Sequence, residues 1–515
     1  MLIKKKIFFY SITVAFFSLV LSSCNPDDFS SGESSSSESS IVDTQTTASS
    51  FSDSSSVDET PKNFQIIAVN DLHGMVLPAS ASSFYKMGIQ KLATIIKNFK
   101  NQETTFVLSG GDMWQGSLES YDNRGAYVTE AMNIIGFDAM TIGNHEFDWG
   151  TSYIESNGEI ANFPFLGANI LDRASGNRAS FAKDCVLIEK NGIKLGVIGT
   201  IGVDQYSDIT YTNVKDLIFD STFNYVKNCA TTLRNQGADY ITLLTHESWT
   251  DYLNMTEQKR ILNECDINSV LSAHSHQYQN TSYNSIPILQ ARCYGEAYSQ
   301  IKLTKTGNEV TTNSFLVHDF TSSDYNNTID DPDVKALYES KYSQTAVNSN
   351  EVIGSSTGTM NSTSALGKYA AETGYNYVNE SYSSYNIIGF FHNQARAAIY
   401  SGNVTNGDIF TSFPFDNEIL IMNVKGTVLK SRTTAADGQE ELYPLLKQYG
   451  VYPFTLSESS ISENSYYNIG IIDYLGYKIA NQYLGNQTFG TGKYIRDAII
   501  ERIKKDKVID ASRYQ

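Results

Sequence analysis

From Phe64 onward the chain alternates between short apolar runs and polar clusters, and each run has the length of one buried strand. Amphipathic stretches such as YKMGIQKLATIIKNFK and FNYVKNCATTLRNQG lie between several of these runs, with apolar residues at helical spacing. Strands that alternate with helices predict an α/β fold whose sheets are covered by helices. The runs are FQIIAVNDLHG, TTFVLSGGDM, FDAMTIGNHEF, FPFLGANI, IKLGVIGT, ADYITLLTHES, INSVLSAHSH and IPILQA.

The alternation stops between residues 324 and 350, where the stretch YNNTIDDPDVKALYESKYSQTAVNSN predicts a polar connection and a helix. Downstream, helix-like stretches and a turn-rich segment indicate a further α/β unit. A length of 515 residues fits such a division, because single cores rarely grow past about 250 to 300 residues. We predict a first domain over 62–325, a connecting segment over 326–350 and a second α/β domain over 351–515.

The N-terminal segment is typical of an exported protein. Residues 1–23 combine a basic start, an apolar run of secretory length and small residues, which predicts a signal peptide. The sequence LSSC, which ends at Cys24, resembles a bacterial lipobox and implies cleavage before Cys24 and lipid attachment to its sulfur. An uncleaved anchor helix is the alternative. Residues 24–61 are a Ser-rich acidic linker, too polar to form a core, which would separate the folded part from the membrane.

Charge and cysteine content limit the possible partners. The formal net charge of -18 argues against a nucleic-acid polymer as partner, because phosphate backbones are held by clustered Lys and Arg. The cysteines after Cys24 match no CxxC metal pattern, so we expect buried thiols and leave any pairing open. These cysteines are Cys185, Cys229, Cys265 and Cys293.

Five of the predicted strand ends carry side chains that bind divalent metals. Loops beyond the carboxyl ends of strands meet at one edge of an α/β sheet, so we expect these side chains to lie together. Nitrogen and oxygen ligands without thiolates suit Mn, Zn, Co or Fe, and their number exceeds the four that one tetrahedral ion takes. Two divalent ions are therefore predicted, with Asp112 as the bridging carboxylate. The candidate ligands are Asp71, His73, Asp112, Asn144, His246, His274 and His276.

The motifs D-x-H, G-G-D, G-N-H-E-F-D, T-H and H-x-H, in this order, resemble those of the calcineurin-like metallophosphoesterases, and specifically of their 5′-nucleotidase branch. The resemblance covers nearly all of the chain from Phe64. It implies a four-layer αββα sandwich followed by a smaller α/β domain of the 5′-nucleotidase C-terminal type. It assigns one metal to Asp71, His73, Asp112 and His276, and the other to Asp112, Asn144, His246 and His274.

The same resemblance assigns the residues that move protons. His145 would stay off the metals beside the substrate phosphate, where it stabilises developing charge or protonates the leaving oxygen. Asp148 would fix the ring of His145, with capping of the following helix as the alternative, and Glu146 is expected to be structural. The implied reaction is attack on phosphorus by a metal-bound hydroxide, in line with the departing oxygen.

Substrate choice is predicted to depend on the C-terminal domain. The segment that begins NQARAAIY resembles the family's N-G-G-x-R stretch followed by G-D-[IV] and P-F-x-N, which makes Arg396 a phosphate-binding residue and Asn417 the family's asparagine. The residues before Arg396 are HNQA instead of small glycines, which departs from the family. Near the end only Gly476 and Tyr477 match the family's G-G-D-G-Y loop. Tyr474 and Tyr477 are candidates for base stacking, with core packing as the alternative.

These features predict an extracytoplasmic dinuclear phosphoesterase that hydrolyses nucleotides in the manner of a 5′-nucleotidase. The alternatives within the family are a 2′,3′-cyclic-nucleotide phosphodiesterase, a UDP-sugar hydrolase or a hydrolase of another ester. A non-catalytic surface lipoprotein is a further alternative, but it predicts eroded ligands and none is eroded. His318 lies outside the clusters and is expected to be a packing or surface residue.

Overall fold

The structure describes most of the chain that follows the Ser-rich segment. A computed structural model describes residues 60–81, 84–429, 451–452, 461–476 and 487–514. The predicted signal peptide, Cys24, nearly all of the linker and Tyr477 lie outside these residues. Within the described ranges, no helix is both long and apolar enough to cross a membrane.

Two six-stranded sheets form the first part of the fold, in the orders β16-β15-β1-β4-β5-β6 and β13-β14-β12-β11-β9-β8. Strands β1, β4, β5 and β6 run parallel in the first sheet, as do β9, β11, β12 and β14 in the second. The strands are β1 (Lys62–Val69), β2 (Ala79–Ala81), β3 (Phe84–Lys86), β4 (Thr104–Ser109), β5 (Ala139–Thr141), β6 (Phe165–Leu166), β7 (Ile170–Asp172), β8 (Cys185–Lys190), β9 (Ile193–Ile201), β10 (Leu217–Phe219), β11 (Tyr240–His246), β12 (Ser269–Ser272), β13 (Tyr278–Tyr283), β14 (Ile286–Ala291), β15 (Ala297–Thr306) and β16 (Glu309–Asp319).

Helices cover the outer face of each sheet, which confirms the predicted αββα sandwich. Along β1, Phe64 and Ile66 point into the core between the sheets, whereas Ile67 points into the core beneath the helices. On the second sheet, Val226 of α6 and Ile261 of α7 share an outer core. The helices of this part are α1 (Gly88–Gln102), α2 (Leu118–Tyr121), α3 (Ala126–Ile135), α4 (Thr151–Ile160), α5 (Tyr211–Val214), α6 (Phe223–Asn235), α7 (Thr256–Glu264), α8 (Ser322–Asn327), α9 (Pro332–Lys341) and α10 (Ser343–Ser349).

The segment predicted as a connection is largely helical and packs on the first domain. Asp331 caps α9 by accepting hydrogen bonds from the backbone N–H groups of Asp333 and Val334. The side chains of Val334 and Tyr338 are buried in the core that α1 and α3 cover. The ring of Tyr338 lies 5.3 Å from that of Tyr127. Helix α9 therefore extends the core of the first domain.

The C-terminal part has its own core, built from a five-stranded sheet, a three-stranded sheet and two long helices. The five-stranded order is β21-β18-β22-β20-β23, and the three-stranded order is β19-β17-β24. Leu366 of α11 and Ile499 of α14 are buried there with Ile421 of β20. The elements are β17 (Val352–Ser356), α11 (Ala365–Ser381), β18 (Phe390–Phe391), β19 (Gly402–Thr405), α12 (Asn406–Ser412), β20 (Glu418–Lys425), α13 (Gly426–Leu429), β21 (Val451–Tyr452), β22 (Tyr466–Ile472), β23 (Gln487–Tyr494), α14 (Ile495–Asp506) and β24 (Val508–Ile509).

The four cysteines after Cys24 are free thiols. Cys229, Cys265 and Cys293 are buried, and Cys185 is half-buried against the core that contains Cys229. This agrees with the expectation of thiols that pack as small apolar side chains.

Candidate metal centre and adjoining cavity

The seven predicted ligands lie together at the ends of five strands from both sheets. Chain segments that leave β1, β4 and β5 carry four of them, and β11 and the segment after β12 carry the others. Six of them, together with His145, form groups in which the potential ligand atoms lie within 4.8 Å of one another, and Asn144 contacts His246 and His274. The three groups are Asp71, His73 and His276; Asp112, His246 and His274; and His73, Asp112 and His145.

The backbone at this centre is strained. Five of the predicted ligands have positive φ angles between 50° and 74°, which side chains other than glycine adopt rarely, at about 1–3 kcal/mol each. Backbone hydrogen bonds hold two of them in place: Asp71 N–H donates to Gly111 O at 3.0 Å, and His73 N–H donates to Asp112 O at 2.9 Å. Such strain is characteristic of functional sites. The five residues are Asp71, His73, Asp112, His274 and His276.

Backbone carbonyls fix the ring nitrogens of two predicted ligands. His73 Nδ1 lies 3.1 Å from Gln115 O, and His246 Nδ1 lies 2.7 Å from Gly110 O. Since a carbonyl can only accept, each Nδ1 carries a hydrogen, so Nε2 is the ring nitrogen that would ligate a bound cation. His73 Nε2 lies 2.9 Å from His276 Nε2, so two ring nitrogens converge on one point. This arrangement fits shared ligation of a cation.

Asp112 lies between His246 and His73, which belong to the two different predicted metal sites. Its Oδ2 is 3.2 Å from His246 Nε2 and 4.0 Å from His73 Nε2. Asn144 Oδ1 lies 3.0 Å from both His246 Nε2 and His274 Nδ1. Burial alone would raise the pKa of Asp112, but His246 and His145 outweigh it and hold this pKa well below its ordinary value. A divalent cation would take over the positive charge that these histidines supply, so the donor set fits two metals around one carboxylate.

Glycine and glutamate shape the loop that carries Asn144 and His145. A Cβ atom at Gly143 would lie 2.3 Å from Asp112 Oδ1 and 2.8 Å from His246 Cε1, so only glycine fits there. The buried Glu146 carboxylate accepts backbone N–H groups from Asp112 at 2.7 Å and from Gly143 at 2.8 Å. Glu146 thus joins the loop after β5 to the loop after β4, in a structural role.

Two residues beside the centre were not predicted. Asn70 Nδ2 donates to Asp71 Oδ2 at 2.6 Å and to Arg292 O at 2.7 Å, which orients the Asp71 carboxylate. Asp208 Oδ2 lies 3.7 Å from His274 Nε2, on the side of the ring opposite Asn144. Asn70 adjoins the D-x-H motif and could have been inferred, whereas Asp208 belongs to a 3₁₀ helix without any motif.

His145 is held at both ring nitrogens. Asp148 Oδ2 lies 2.8 Å from Nδ1, and Arg396 Nη2 donates to Nε2 at 3.1 Å. Burial alone would lower the pKa of His145, but the carboxylates of Asp148 and Asp112 outweigh it and raise this pKa. The Arg396 contact needs a lone pair on Nε2, so Arg396 and a proton compete for that nitrogen. Asp148 bonds the ring and provides no side-chain cap for α4, whose N-cap residue is Gly150.

A cavity of about 600 Å³ opens beside His145 and is lined by both parts of the chain. The predicted residues Arg396, Asn417 and Tyr474 all line it. Phe415, which was not singled out from the sequence although it belongs to the P-F-x-N motif, stacks on the His145 ring at 5.2 Å and 25°. Further lining residues are Arg124, Trp149, Tyr153, Asp208, Asp416, Glu418, Asp473 and Tyr494.

Comparison with known proteins defines the class to which this fold and site belong. Residues 64–278 match the family model for calcineurin-like phosphoesterases, and residues 338–440 match that for the 5′-nucleotidase C-terminal domain. The chain therefore combines a calcineurin-like phosphoesterase domain with a C-terminal domain of the 5′-nucleotidase type. The calcineurin-like phosphoesterase domain implies the use of divalent metal ions.

Several individual proteins are similar over part or all of the chain. The endonuclease YhcR of Bacillus subtilis is 26% identical over 402 residues, which cover 71% of this chain and 32% of the relative. The 5′-nucleotidase of Vibrio vulnificus is 28% identical over 232 residues, 42% of this chain and 41% of the relative. The chain thus spans less than half the length of these relatives. The 5′-nucleotidase precursor of Thermus thermophilus has the same fold, with a TM-score of 0.70 at 15% identity over 87% of this chain and 97% of that one.

Proposed function

We propose that the chain is a dinuclear-metal phosphoesterase that hydrolyses nucleotides, with 5′-nucleotidase activity as the leading assignment. The observation that carries the proposal is the convergence of seven nitrogen and oxygen ligands beside a cavity that both domains line. Asp71, His73, Asp112 and His276 would hold one ion, and Asp112, Asn144, His246 and His274 the other. When bound, the ions would activate water as a nucleophile and neutralise phosphate charge.

Within the proposal, His145 and Arg396 act on the phosphate and the leaving oxygen. Asp148 holds Nδ1 of His145, which leaves Nε2 facing Arg396 across 3.1 Å. A phosphate oxygen that binds the guanidinium would replace this contact and free Nε2 to carry a proton. His145 can then donate that proton to the departing oxygen.

The cavity lining supports a nucleoside as the leaving group. Phe415, Trp149 and Tyr474 offer aromatic faces to a base. Asp473 and Glu418 offer carboxyl groups that can form hydrogen bonds with sugar hydroxyls, and the negative charge of Glu418 disfavours a second phosphate at that position. A nucleoside monophosphate therefore fits better than a polyphosphate. Cyclic nucleotides and UDP-sugars remain the alternatives.

The decisive experiment measures phosphate release by the full chain after metal removal and resupply with Mn²⁺. The substrates are nucleoside monophosphates, 2′,3′-cyclic nucleotides and UDP-glucose, so the preferred substrate identifies the branch. Asp112→Asn should abolish turnover because both ions lose their shared ligand. Asp266→Asn, which changes a surface carboxylate paired with Arg234, should not affect turnover. Near wild-type turnover by Asp112→Asn, or turnover independent of metal, would contradict the proposal.

We also propose that the protein is exported and tethered through a lipid on Cys24. The support is the signal-like pattern of residues 1–23 and the LSSC sequence at its end. Cys24→Ala should move the protein from the membrane fraction to the soluble exported fraction. Equal membrane association of this variant and the wild type would exclude a Cys24 anchor.

A further inference from the structure

The loop of residues 413–417 brings the C-terminal domain to the candidate active site. It connects α12 to β20, and it carries Phe415 against the His145 ring and Asn417 into the cavity wall. Its position therefore sets the distance between the proposed leaving-group site and the proposed proton donor. What holds this loop in place bears directly on catalysis.

Arg496, in the first turn of α14, binds this loop along its length. The side chain is only 1% exposed. Its Nη1 donates to the carbonyl oxygens of Phe413, Pro414 and Phe415 at 3.3, 2.8 and 3.2 Å, and its Nη2 bonds the Asp416 carboxylate. Three successive carbonyls and a carboxylate suit the flat, many-donor guanidinium, which lysine cannot replace.

The Arg496 guanidinium also lies between rings from both domains. Its Cζ atom is 4.1 Å from the ring centroid of Phe410 in α12 and 4.5 Å from that of Tyr121 in α2. Asp416 balances the buried charge and lies 4.0 Å from Arg124 Nη1 of the first domain. Arg496 thus connects the loop to side chains of the first domain.

The Pro414 carbonyl is the point where the two domains hold the loop together. Gln115 Nε2 donates to it at 2.6 Å from the first domain, and Arg496 Nη1 donates at 2.8 Å from the C-terminal domain. These two donors can occupy both lone pairs of the oxygen. The backbone carbonyl of Gln115 lies 3.1 Å from Nδ1 of the predicted ligand His73, so the loop is anchored beside the metal centre.

We infer that Arg496 is a positioning residue that fixes the 413–417 loop, and with it Phe415, against His145. The Arg496 side chain does not belong to the cavity lining, so it acts through the loop and not on the substrate. The consequence for turnover rests on the proposed function, whereas the consequence for the loop does not. The two can therefore be tested separately.

Arg496→Met tests the inference because it keeps side-chain volume and removes every donor. Arg502→Met is the matched control: Arg502 lies on the same helix, bonds Glu372 at 2.9 Å and lies over the Tyr369 ring at 4.4 Å, remote from the loop. Glu372 keeps Arg513 as a partner in that control. Arg496→Met should speed amide hydrogen exchange within residues 413–417 about tenfold or more, and Arg502→Met should not.

The kinetic arm compares a nucleoside monophosphate with a small aryl phosphate that does not need the loop. Arg496→Met should lower kcat/KM for the nucleotide about 10- to 100-fold and that for the aryl phosphate much less. Arg496→Lys should recover only part of the loss, because it keeps the charge beside Asp416 but cannot reach three carbonyls.

Wild-type exchange of the loop in Arg496→Met would overturn the inference, as would equal kinetic losses on both substrates. If the wild type hydrolyses no nucleotide, the proposed function fails while the exchange measurement still decides the role of Arg496. If Arg496→Met does not fold, Arg496→Lys takes its place in the exchange measurement. Faster exchange of the loop than in the wild type would then support the inference, and wild-type exchange would overturn it.

Discussion

At the scale of single residues, His145 belongs to a possible metal-binding group and also forms hydrogen bonds with Asp148 and Arg396. His145, His73 and Asp112 each offer a potential ligand atom, and these three atoms lie within 4.8 Å of one another. However, Asp148 occupies one of its nitrogens at 2.8 Å and Arg396 the other at 3.1 Å. In His73 and His246, in contrast, only Nδ1 is held by a backbone carbonyl, and Nε2 faces the other predicted ligands. The contacts of His145 thus favour proton transfer over ligation.

His145→Ala is expected to keep both metals and lower kcat about 10²- to 10⁴-fold, the usual contribution of a general acid. Metal content by elemental mass spectrometry and kcat on a nucleoside monophosphate check the two parts of this expectation. His318→Ala serves as the control, because His318 pairs with Asp324 outside the metal centre. Loss of one metal per chain in His145→Ala would make His145 a ligand.

Asp473 provides a test of the electrostatics of the cavity. Burial raises the pKa of this carboxyl to about 7, although backbone N–H groups of Glu418 and Tyr474 oppose the shift. Between about pH 4 and pH 7 the folded state therefore holds a proton that the unfolded state releases. The stability that this proton contributes is complete below about pH 4 and is lost as the pH rises to 7.

Asp473→Asn removes that dependence, because the amide does not ionise and its oxygen can still accept the hydrogen bond from the Tyr474 backbone N–H. We expect the variant to gain more free energy of unfolding at pH 8 than at pH 5, by about 1–3 kcal/mol. Denaturant unfolding at both pH values measures the difference, with Asp266→Asn as the surface control. A gain that is the same at both pH values would contradict a proton held by Asp473.

At the scale of elements, the strand ends of the site were predictable and the contacts between domains were not. Strands β1, β4, β5, β11 and β12 were found because an apolar run of strand length is followed directly by polar side chains. The contact of Gln115 with Pro414 joins positions 299 residues apart, and no local pattern encodes it. Arg496 is a buried cation in a helix that the sequence shows only as amphipathic. Three of its partners are backbone carbonyls, which have no signature in a sequence.

Gly143 tests how closely the loops after β4 and β5 must approach. Gly143→Ala places a Cβ atom 2.3 Å from Asp112 Oδ1, so the predicted bridging carboxylate must move. We expect weaker metal binding and roughly a 100-fold loss of kcat/KM. Gly158→Ala is the control, since its Cβ atom would only meet Phe165 at 3.7 Å inside α4.

The control variant Gly158→Ala should have a free energy of unfolding about 0.5–1 kcal/mol higher than the wild type, because alanine is a better helix former than glycine. Metal titration and steady-state kinetics on both variants make the comparison. Wild-type metal affinity in Gly143→Ala would mean that the two loops tolerate separation.

At the scale of the whole molecule, the candidate metal centre joins parts of the chain that otherwise belong to different layers. The ligands after β1, β4 and β5 come from one sheet, and those at β11 and after β12 come from the other. The loop of residues 413–417 and Arg396 then add the C-terminal core to the same place. Bound ions would therefore connect the two sheets at the position where the second domain also makes contact.

This placement predicts that the metals stabilise the whole fold and not only the site. The centre gathers strained backbone and buried carboxylates that lack solvent, and a cation that binds only the folded state offsets both costs. Mn²⁺ at 100 times its Kd should raise the free energy of unfolding by about 2.7 kcal/mol for each independent site. Calorimetry of the metal-stripped chain, with and without Mn²⁺, measures this as a rise in Tm. Asp112→Asn should lose most of the rise and Asp266→Asn none, whereas an unchanged Tm in the wild type would mean that hydrogen bonds alone hold these seven side chains together.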